Sequence, residues 1–246
     1  YQGSMADFLM LVIVDKTENT YSFLQLNRDT MTEVALIDHN GEGEATANIQ
    51  LCTAHWYGGN REQSCENTVK SVKKLLGGIQ IDGYYELNMS EIPKLNNMVD
   101  GVTVTLEDDF SKKYPKMKKG ATINLDDEQA YAYVHDRYGV GDEENTSRMK
   151  RQQQYMTGFF KKLQEKVKAN PNYANEVFES LQDVSTTDIT IGKISNISNI
   201  FASGTDKGIF ELAGKSKIGQ ALGDEIDHME FYVNKKAMVS TMSELF

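Results

Sequence analysis

The sequence predicts an α/β fold, a single α/β/α sandwich-like domain in which helices flank a mixed central β-sheet. The continuous apolar run at residues 8–14 is typical of a strand that is covered on both faces. A polar turn separates it from a second strand pattern at residues 21–26, and together the two strands indicate a hairpin. Helical and strand patterns then alternate along most of the 246 residues, as they do in layered α/β domains. We therefore assign residues 5–246 to one domain.

The later elements are predicted from the spacing of apolar residues or from capping residues. A capping box formed by Asp126 and Gln129 predicts a helix that runs to about Arg137. A longer helix is predicted at residues 147–168, because apolar residues recur there at helical spacing. Further strands are predicted at residues 79–87, 102–106 and 230–233. The other predicted helices follow Ser64 and Ser90 as N-caps, or lie at residues 177–181, 191–202 and the C-terminus.

Composition restricts the kinds of partner. The formal net charge is −10, which argues against nucleic acid or an anionic membrane surface as the partner of the whole molecule. An anionic ligand would need basic residues that are concentrated locally. No apolar run reaches the 18 or so residues that a membrane-spanning helix requires. We interpret residues 1–4 as an expression scar, and we expect that a native leader or membrane anchor was removed with it.

The cysteines and histidines give weaker indications. Cys52 and Cys65 would be two buried thiols in a cytosolic protein, whereas in an exported domain a disulfide could close the short loop between them. Both alternatives stay open. A metal cluster is not predicted, because no spacing typical of metal ligands links the four histidines, His39, His55, His135 and His228.

Basic and acidic residues follow the second predicted strand and flank the long predicted helix. Residues 27–30 (Asn-Arg-Asp-Thr) come directly after that strand, where open α/β sheets place ligands. His135 and Arg137 end one helix, and Arg148 and Gln152 share one face at the start of the next. A helix N-terminus favours anions, and arginine donors suit phosphate oxygens. The alternative interpretation is an ordinary surface ion pair beside a solvated amphipathic helix.

The order of these motifs resembles the LytR-CpsA-Psr family. The resemblance rests on an aspartate at the first strand, Arg-Asp-Thr at the end of the second, Tyr-x-x-x-Arg, and Ser-Arg-x-x-Arg-Gln-Gln. It covers residues 6–168 and extends to the last predicted strand. The stretches that carry it are residues 6–11, 26–30, 54–59, 100–104, 133–137 and 148–153.

This resemblance implies a phosphotransferase on the extracytoplasmic face of the bacterial cell membrane, held there by an anchor. Such enzymes keep a polyprenyl tail in an apolar pocket and a pyrophosphate over an arginine cluster with a divalent cation. The implied reaction moves a phosphate-linked glycopolymer, of the teichoic acid or capsule type, from a polyprenyl-pyrophosphate carrier to peptidoglycan. A hydroxyl of the acceptor glycan attacks the sugar-linked phosphorus, and polyprenyl phosphate leaves. Nucleic acid is not an implied partner.

The resemblance also implies roles for individual residues. Asp7 would bind the cation, Mg²⁺ or Mn²⁺, and Asp29 would orient Arg28 or act as a base, so these three are the candidate catalytic residues. Gln50 and His135 stand where family members often carry a basic residue. The implied pyrophosphate ligands are Arg28, Gln50, His135, Arg137, Arg148, Arg151 and Gln152.

Two other functions remain open at this point. A non-catalytic member would bind the lipid carrier or a glycan without turnover, and a pyrophosphatase would hydrolyse the carrier with water in place of the glycan hydroxyl. All these expectations depend on one geometry. Arg28 and Arg148, which are distant in sequence, must converge beside Asp7.

Overall fold

The computed structural model describes residues 3–43 and 45–246 of the chain. Its strands are β1 (Leu9–Asp15), β2 (Thr20–Leu26), β3 (Met31–Ala35), β4 (Thr46–Gln50), β5 (Tyr85–Leu87), β6 (Thr103–Thr105), β7 (Thr122–Asn124), β8 (Ser185–Thr187), β9 (Thr205–Glu211), β10 (Gly214–Gly219) and β11 (His228–Val233). Its α-helices are α1 (Arg61–Leu75), α2 (Ile92–Met98), α3 (Asp127–His135), α4 (Asn145–Ala169), α5 (Tyr173–Ser180), α6 (Ile191–Ser203) and α7 (Lys235–Leu245). None of these helices is long and apolar enough to cross a membrane.

The central sheet is mixed, as predicted. β2 lies in the middle, antiparallel to β1 and parallel to β9. Two-stranded antiparallel ladders surround this sheet and pair β3 with β4, β5 with β8, β6 with β7, and β10 with β11. The β10–β11 hairpin reaches the end of β2, where the backbone amide of Phe231 donates to the carbonyl oxygen of Asp29 at 2.8 Å.

Helices cover both faces of the sheet, which confirms the α/β/α arrangement. On one face Phe23 of β2 stacks on Phe160 of α4, with ring centroids 4.2 Å apart. Tyr21 of the same strand lies against Phe201 of α6 on that face, at 5.0 Å. The opposite face carries Leu24 and other leucines of β1 and β2, and it packs against α1 and α7. Alternation along β2 thus sends successive side chains into two different apolar layers.

The apolar layer between the sheet, α1 and α7 is only partly closed, and we call it the open layer. Its buried members are Leu24, Leu26, Leu51, Val72, Leu76, Leu212 and Leu245. They are outnumbered by partly buried members, namely Leu9, Leu11, Ile13, Leu75, Ile79, Ile81, Phe210, Val233, Met238 and Met242.

A second apolar cluster lies between α2, α3, α4 and the β6–β7 ladder, and we call it the closed core. Most of its members are buried: Val99, Val102, Val104, Leu106, Phe110, Met117, Leu125, Ala130, Tyr133, Val134, Val140, Tyr155 and Phe159. Asp126 and Gln129 form the predicted capping box at the start of α3. That box fixes the helix whose C-terminal end reaches the candidate site.

Several predicted boundaries are wrong. α1 begins at Arg61 with Asn60 as its N-cap, because the side chain of Asn60 accepts a hydrogen bond from the amide of Gln63. Ser64, the predicted cap, lies inside that helix. The strand predicted at residues 79–87 is reduced to β5. The glycine-rich region after α6, where no strand is predicted, contains β9, the third strand of the central sheet.

Candidate functional site

The two arginines named in the geometric prediction meet at one carboxylate. Nη1 of Arg28 donates to Oδ1 of Asp7 at 2.5 Å, and Nη1 of Arg148 donates to the same oxygen at 3.1 Å. Arg28 follows β2, Arg148 lies in the first turn of α4, and Asp7 precedes β1. The predicted convergence is therefore confirmed.

Asn145, the first residue of α4, connects this pair of arginines to Asp29. Its amide nitrogen donates to Oδ2 of Asp29 at 3.0 Å and to Oδ1 of Asn27 at 3.2 Å. Its amide oxygen accepts from Nε and Nη2 of Arg148 at 3.2 and 2.8 Å. The sequence predicts only the start of a helix near this position, and an asparagine there gives no signal of a bridging role.

The turn after β2 holds Asp29 in place. The amide of Asp29 donates to the side chain of Asn27 at 2.9 Å, and the amide of Thr30 closes the turn onto the carbonyl oxygen of Asn27 at 3.0 Å. Asp29 and Arg28 are mostly buried, with side chains 14% and 17% exposed. Oδ1 of Asp29 lies 3.9 Å from Nε of Arg28, which is too far for a hydrogen bond.

Burial shapes the electrostatics of these groups. It raises the pKa of Asp29, although Arg28 and Arg148 oppose the shift. Burial also lowers the pKa of Arg148, while Asp7 acts in the other direction. Nε of Arg28 is a buried donor that has no hydrogen-bond partner among the described residues. Leaving such a donor unpaired costs about 1–3 kcal/mol, and an anionic oxygen would recover that cost.

His135 and Arg137 lie at the end of α3, outside the hydrogen bonds of the arginine pair. Arg137 lies close enough to oppose the rise that burial causes in the pKa of Asp29. Its guanidinium donates to the hydroxyl of Tyr138 at 2.5 Å and stacks on that ring. His135 stacks on Tyr131, and its Nδ1 lies 3.2 Å from Asp136. Both side chains are partly exposed and lie where a ligand could reach them.

The structure does not bring Arg151, Gln152 or Gln50 to the arginine pair. Arg151 is 1% exposed, and its guanidinium donates to the carbonyl oxygens of Tyr133 and Asp136 and to the carboxylate of Asp108. Its donors therefore fix the end of α3 inside the protein.

The two glutamines also donate to backbone carbonyl oxygens. Gln152 donates to Val134 at 3.1 Å, and Gln50 donates to Met229 at 3.2 Å. Because Gln152 joins α4 to α3 and Gln50 joins β4 to β11, we place neither of them among the ligands that we propose below.

The cysteines are free and buried, so the alternative of a Cys52–Cys65 disulfide is wrong. The physical reason is that each thiol faces a different partner. Cys52 lies beside Arg28, and burial raises its pKa. Cys65 lies on α1, with its sulfur 3.9 Å from Nε2 of His55.

Asp7 has the features of a carboxylate that could hold a divalent cation. Both arginines bond to Oδ1, so neither of them requires Oδ2. The side chain is 25% exposed, which leaves the carboxylate accessible. Mg²⁺ is commonly bound through one or two carboxylates together with phosphate oxygens of the substrate. The residues present at Asp7 and Asp29 fit that pattern.

Comparison with known families decides the relationship. The model of the LytR_cpsA_psr family matches residues 2–245. The chain belongs to the LytR-CpsA-Psr family. This confirms the resemblance seen in the motifs. The interpretation of residues 1–4 as an expression scar stays a prediction, and the first two of these residues lie outside the described ones.

Two curated relatives, both from Bacillus cereus, are named polyisoprenyl-teichoic acid–peptidoglycan teichoic acid transferase TagU. They are 29% and 27% identical to this member of the LytR-CpsA-Psr family over 157 residues. The aligned part is 64% of this chain and 46% of each relative. The chain thus spans about half the length of the curated relatives that it matches.

Solved structures confirm the α/β fold of this LytR-CpsA-Psr domain. TagV of B. subtilis is 22% identical with a TM-score of 0.72, and the match covers 99% of this chain and 89% of TagV. Protein gbs0355 of Streptococcus agalactiae is 20% identical with a TM-score of 0.75, at 99% and 80% coverage. TagT bound to LI-WTA is 20% identical with a TM-score of 0.70, at 98% and 83% coverage.

Proposed function

We propose that this domain transfers a phosphate-linked glycopolymer, of the teichoic acid or capsule type, from a polyprenyl-pyrophosphate carrier to peptidoglycan. The observation that carries the proposal is the convergence of Arg28 and Arg148 on Asp7, at one end of the open layer. The names of the TagU relatives support the same substrate class.

The open layer suits the lipid part of the carrier. Its partly buried leucines, isoleucines and methionines offer apolar surface that burial against a polyprenyl chain would remove from water. The layer also leads to the charged groups. Leu9 lies two residues after Asp7, and Leu26 lies two residues before Arg28. A polyprenyl chain in this layer would therefore end with its phosphates at the arginine pair.

The arginine pair suits the pyrophosphate. Arg28 and Arg148 supply forked donors, and the unpaired Nε of Arg28 adds one that points to no protein acceptor among the described residues. Arg137 and His135 are partly exposed, and in this proposal they would contact the phosphate nearer the glycan. A pyrophosphate there would neutralise positive charge that Asp7 and Asp29 balance only in part.

Asp7, with Asp29 nearby, would hold Mg²⁺ or Mn²⁺ together with phosphate oxygens. When bound, such a cation supplies further neutralisation of the charge that develops on the phosphates. The protein groups do the positioning, on which phosphoryl transfer mainly depends. Arg28 and Arg148 would orient the pyrophosphate, and the carboxylate of Asp7 would hold both guanidinium groups in position.

The transfer forms one bond and breaks one. The oxygen of an acceptor hydroxyl on peptidoglycan bonds to the sugar-linked phosphorus, and the bond from that phosphorus to the bridging oxygen breaks. Polyprenyl phosphate leaves with that bridging oxygen. Asp29 would accept the hydroxyl proton at Oδ1, since Oδ2 already accepts from Asn145 and burial raises the pKa of this carboxyl.

This chemistry belongs outside the cytoplasmic membrane, where peptidoglycan is exposed. We propose that the full-length protein works at that face of the membrane, held by an anchor outside these 246 residues, with Asp7 and Arg28 facing the carrier.

The test supplies the protein with a polyprenyl-pyrophosphate-linked teichoic acid, peptidoglycan and Mg²⁺, and it measures polymer attached to peptidoglycan together with released polyprenyl phosphate. We expect both products from the wild type and from Lys166→Ala, which removes contacts with Asp100 and the ring of Tyr173 away from the arginine pair. Arg28→Ala should form neither while keeping its melting temperature within a few degrees.

Two outcomes would replace the proposal. Release of inorganic phosphate from polyprenyl pyrophosphate without an acceptor would indicate a pyrophosphatase. Binding of the carrier with no product under any condition would indicate a non-catalytic member. Full transfer by Arg28→Ala would show that the site assignment is wrong.

A further inference from the structure

A histidine, a cysteine and a glutamate from three separate elements meet outside the site described above. His55 lies in the short 3-10 turn after β4, Cys65 on α1 and Glu86 on β5. Their possible ligand atoms all lie within 4.8 Å of one another. His55 and Cys65 are 8% and 4% exposed. Spacing along the sequence could not predict this group, because no two of its members share an element.

The nitrogen and sulfur atoms are spaced suitably for a shared ion. Nε2 of His55 lies 3.9 Å from Sγ of Cys65. A tetrahedral zinc ion with ordinary bond lengths to nitrogen and sulfur would place these two atoms about 3.6 Å apart. The carboxylate of Glu86 sits at the end of a side chain that can rotate, so small adjustments would complete three ligands.

Two of the three side chains already have the outer partners that metal ligands usually have. Nδ1 of His55 lies 2.8 Å from the carbonyl oxygen of Ser4, which can only accept, so Nδ1 carries the proton and Nε2 is free to bind a metal. Glu86 accepts a hydrogen bond from Nη2 of Arg61 at 2.6 Å through Oε2. Such partners fix the orientation of the ligands before the ion arrives.

We propose that His55, Cys65 and Glu86 form a binding site for a borderline-soft divalent metal of the Zn²⁺ class. Nitrogen, sulfur and carboxylate ligands select zinc over Mg²⁺, which prefers oxygen ligands alone. Three protein ligands leave a fourth position for water. The site is thus chemically distinct from the oxygen-rich position at Asp7.

The surroundings of Cys65 favour a cation rather than a catalytic thiol. Burial and neighbouring carboxylates, among them Glu86 and Glu62, raise the pKa of Cys65 to about 12. Without a metal the thiol is neutral and a poor nucleophile. A zinc ion would displace the thiol proton, so its affinity should increase as the pH rises from about 6 to 8.

A metal at this position would connect elements that also support the arginine site. The carbonyl oxygen of Ser4 bonds to His55, and the amide of Ala6 donates to the carbonyl oxygen of Cys52 at 3.1 Å. These contacts hold the segment that carries Asp7. Zinc binding should therefore stabilise this segment, and it should raise the melting temperature of the whole domain.

The experiment titrates metal-free, tag-free protein with Zn²⁺ by calorimetry and with Co²⁺ by absorption spectroscopy. We expect one Zn²⁺ per chain, a thiolate-to-cobalt charge-transfer band, and no displacement of the bound Zn²⁺ by excess Mg²⁺. Cys65→Ser and His55→Gln should each weaken Zn²⁺ binding by roughly 10- to 100-fold or more. Loss of a residue that only supports a metal ligand already has an effect of this size. Cys52→Ser is the matched control, because it removes the other buried thiol and should keep the cobalt band.

Each other result overturns the proposal. A wild-type protein without a cobalt–thiolate band has no such site, whether or not the variants fold. A band that persists in Cys65→Ser but disappears in Cys52→Ser would place the metal at the other cysteine. Equal affinity of the wild type and His55→Gln would show that the histidine is not a ligand.

Discussion

The closed core and the open layer are built from the same kinds of apolar side chain, yet they differ in how completely helices cover them. In the closed core the buried residues are in the majority, and α2, α3 and α4 surround them. In the open layer the partly buried residues are in the majority, although α1 and α7 pack against it. A monomeric domain normally closes such a layer, so surface left accessible here is available to a ligand.

The arginines at the edges of the two clusters differ in their hydrogen-bond partners. Arg151, beside the closed core, donates to two carbonyl oxygens and to Asp108. Arg148, one turn earlier on α4, meets Asp7 and Asn145 at the end of the open layer. Arg151 therefore stabilises the fold beside the closed core, whereas Arg148 belongs to the group that we propose binds the pyrophosphate at the end of the open layer.

The largest expected effects come from changing these two arginines to the same residue. Arg151→Met should lower the free energy of unfolding by about 3–5 kcal/mol, because Asp108 and the carbonyl oxygens of Tyr133 and Asp136 lose their donor. Arg148→Met should reduce glycopolymer transfer by about a thousandfold, since in the proposed mechanism it removes a charge that binds the phosphates. It should cost less stability than Arg151→Met, because Arg28 still pairs with Asp7 and the amide oxygen of Asn145 is the acceptor left without its donor. Denaturant unfolding and a transfer assay measure the two quantities. Similar unfolding free energies for the two variants would contradict the claim that Arg151 contributes more to stability than Arg148.

The next effect distinguishes two carboxylates that are equally exposed, at 14% each. Asp29→Asn should reduce transfer about a hundredfold, as expected for loss of a general base. Burial raises the pKa of Asp29 above its unfolded value, which is near 3.8. The folded wild-type protein therefore loses part of its free energy of unfolding as the pH rises from that value through the folded pKa, because Asp29 must then ionise in a buried position. The asparagine variant should lack that loss and should be at least as stable as the wild type at pH 7.

Asp108→Asn is the control for this comparison. It weakens the partner of Arg151 and should lower the melting temperature at neutral pH. Melting curves from pH 3.5 to 7 and transfer rates at pH 7 decide the outcome. If Asp29→Asn lost less than about threefold in rate, the residue would not act as a base.

The strands and helices that build these regions could be predicted only in part from the sequence. The β1–β2 hairpin, the capping box of α3 and the long α4 carry strong local signals, and all three are present. β9 could not be predicted, because Gly208 and the charged residues before it interrupt any strand pattern. Its place in the sheet depends on parallel pairing with β2, a long-range contact that leaves no local signal.

The candidate site shows the same limit. The resemblance to the LytR-CpsA-Psr family pointed to Asp7. Arg28 and Arg148 were also indicated by their own positions, because charged residues at strand and helix ends tend to face ligands. Arg151 lies only three residues after Arg148, and helical spacing cannot say which arginine meets backbone carbonyl oxygens inside the protein. Asn145 could not be identified either, because its hydrogen bond to Asp29 forms only when α4 packs against the end of β2.

The smallest expected effect tests whether the open layer binds lipid. Met242 on α7 is partly buried in that layer, whereas Met117 of the closed core is 0% exposed. Met242→Ala should lower the affinity for polyprenyl phosphate by about tenfold, the effect of losing one or two buried methylene contacts. It should cost less than about 1 kcal/mol of stability, while Met117→Ala should cost about 2–5 kcal/mol because it leaves a cavity.

Binding to polyprenyl phosphate and denaturant unfolding, both measured on the two variants, complete this test. If the smaller side chain at position 242 left lipid affinity unchanged while Met117→Ala behaved as expected, the layer would be incompletely packed without holding the carrier. The polyprenyl chain of the carrier would then have to lie outside the open layer. Because Leu9 and Leu26 connect this layer to Asp7 and Arg28, that result would also separate the lipid from the arginine pair, which the transfer mechanism needs together.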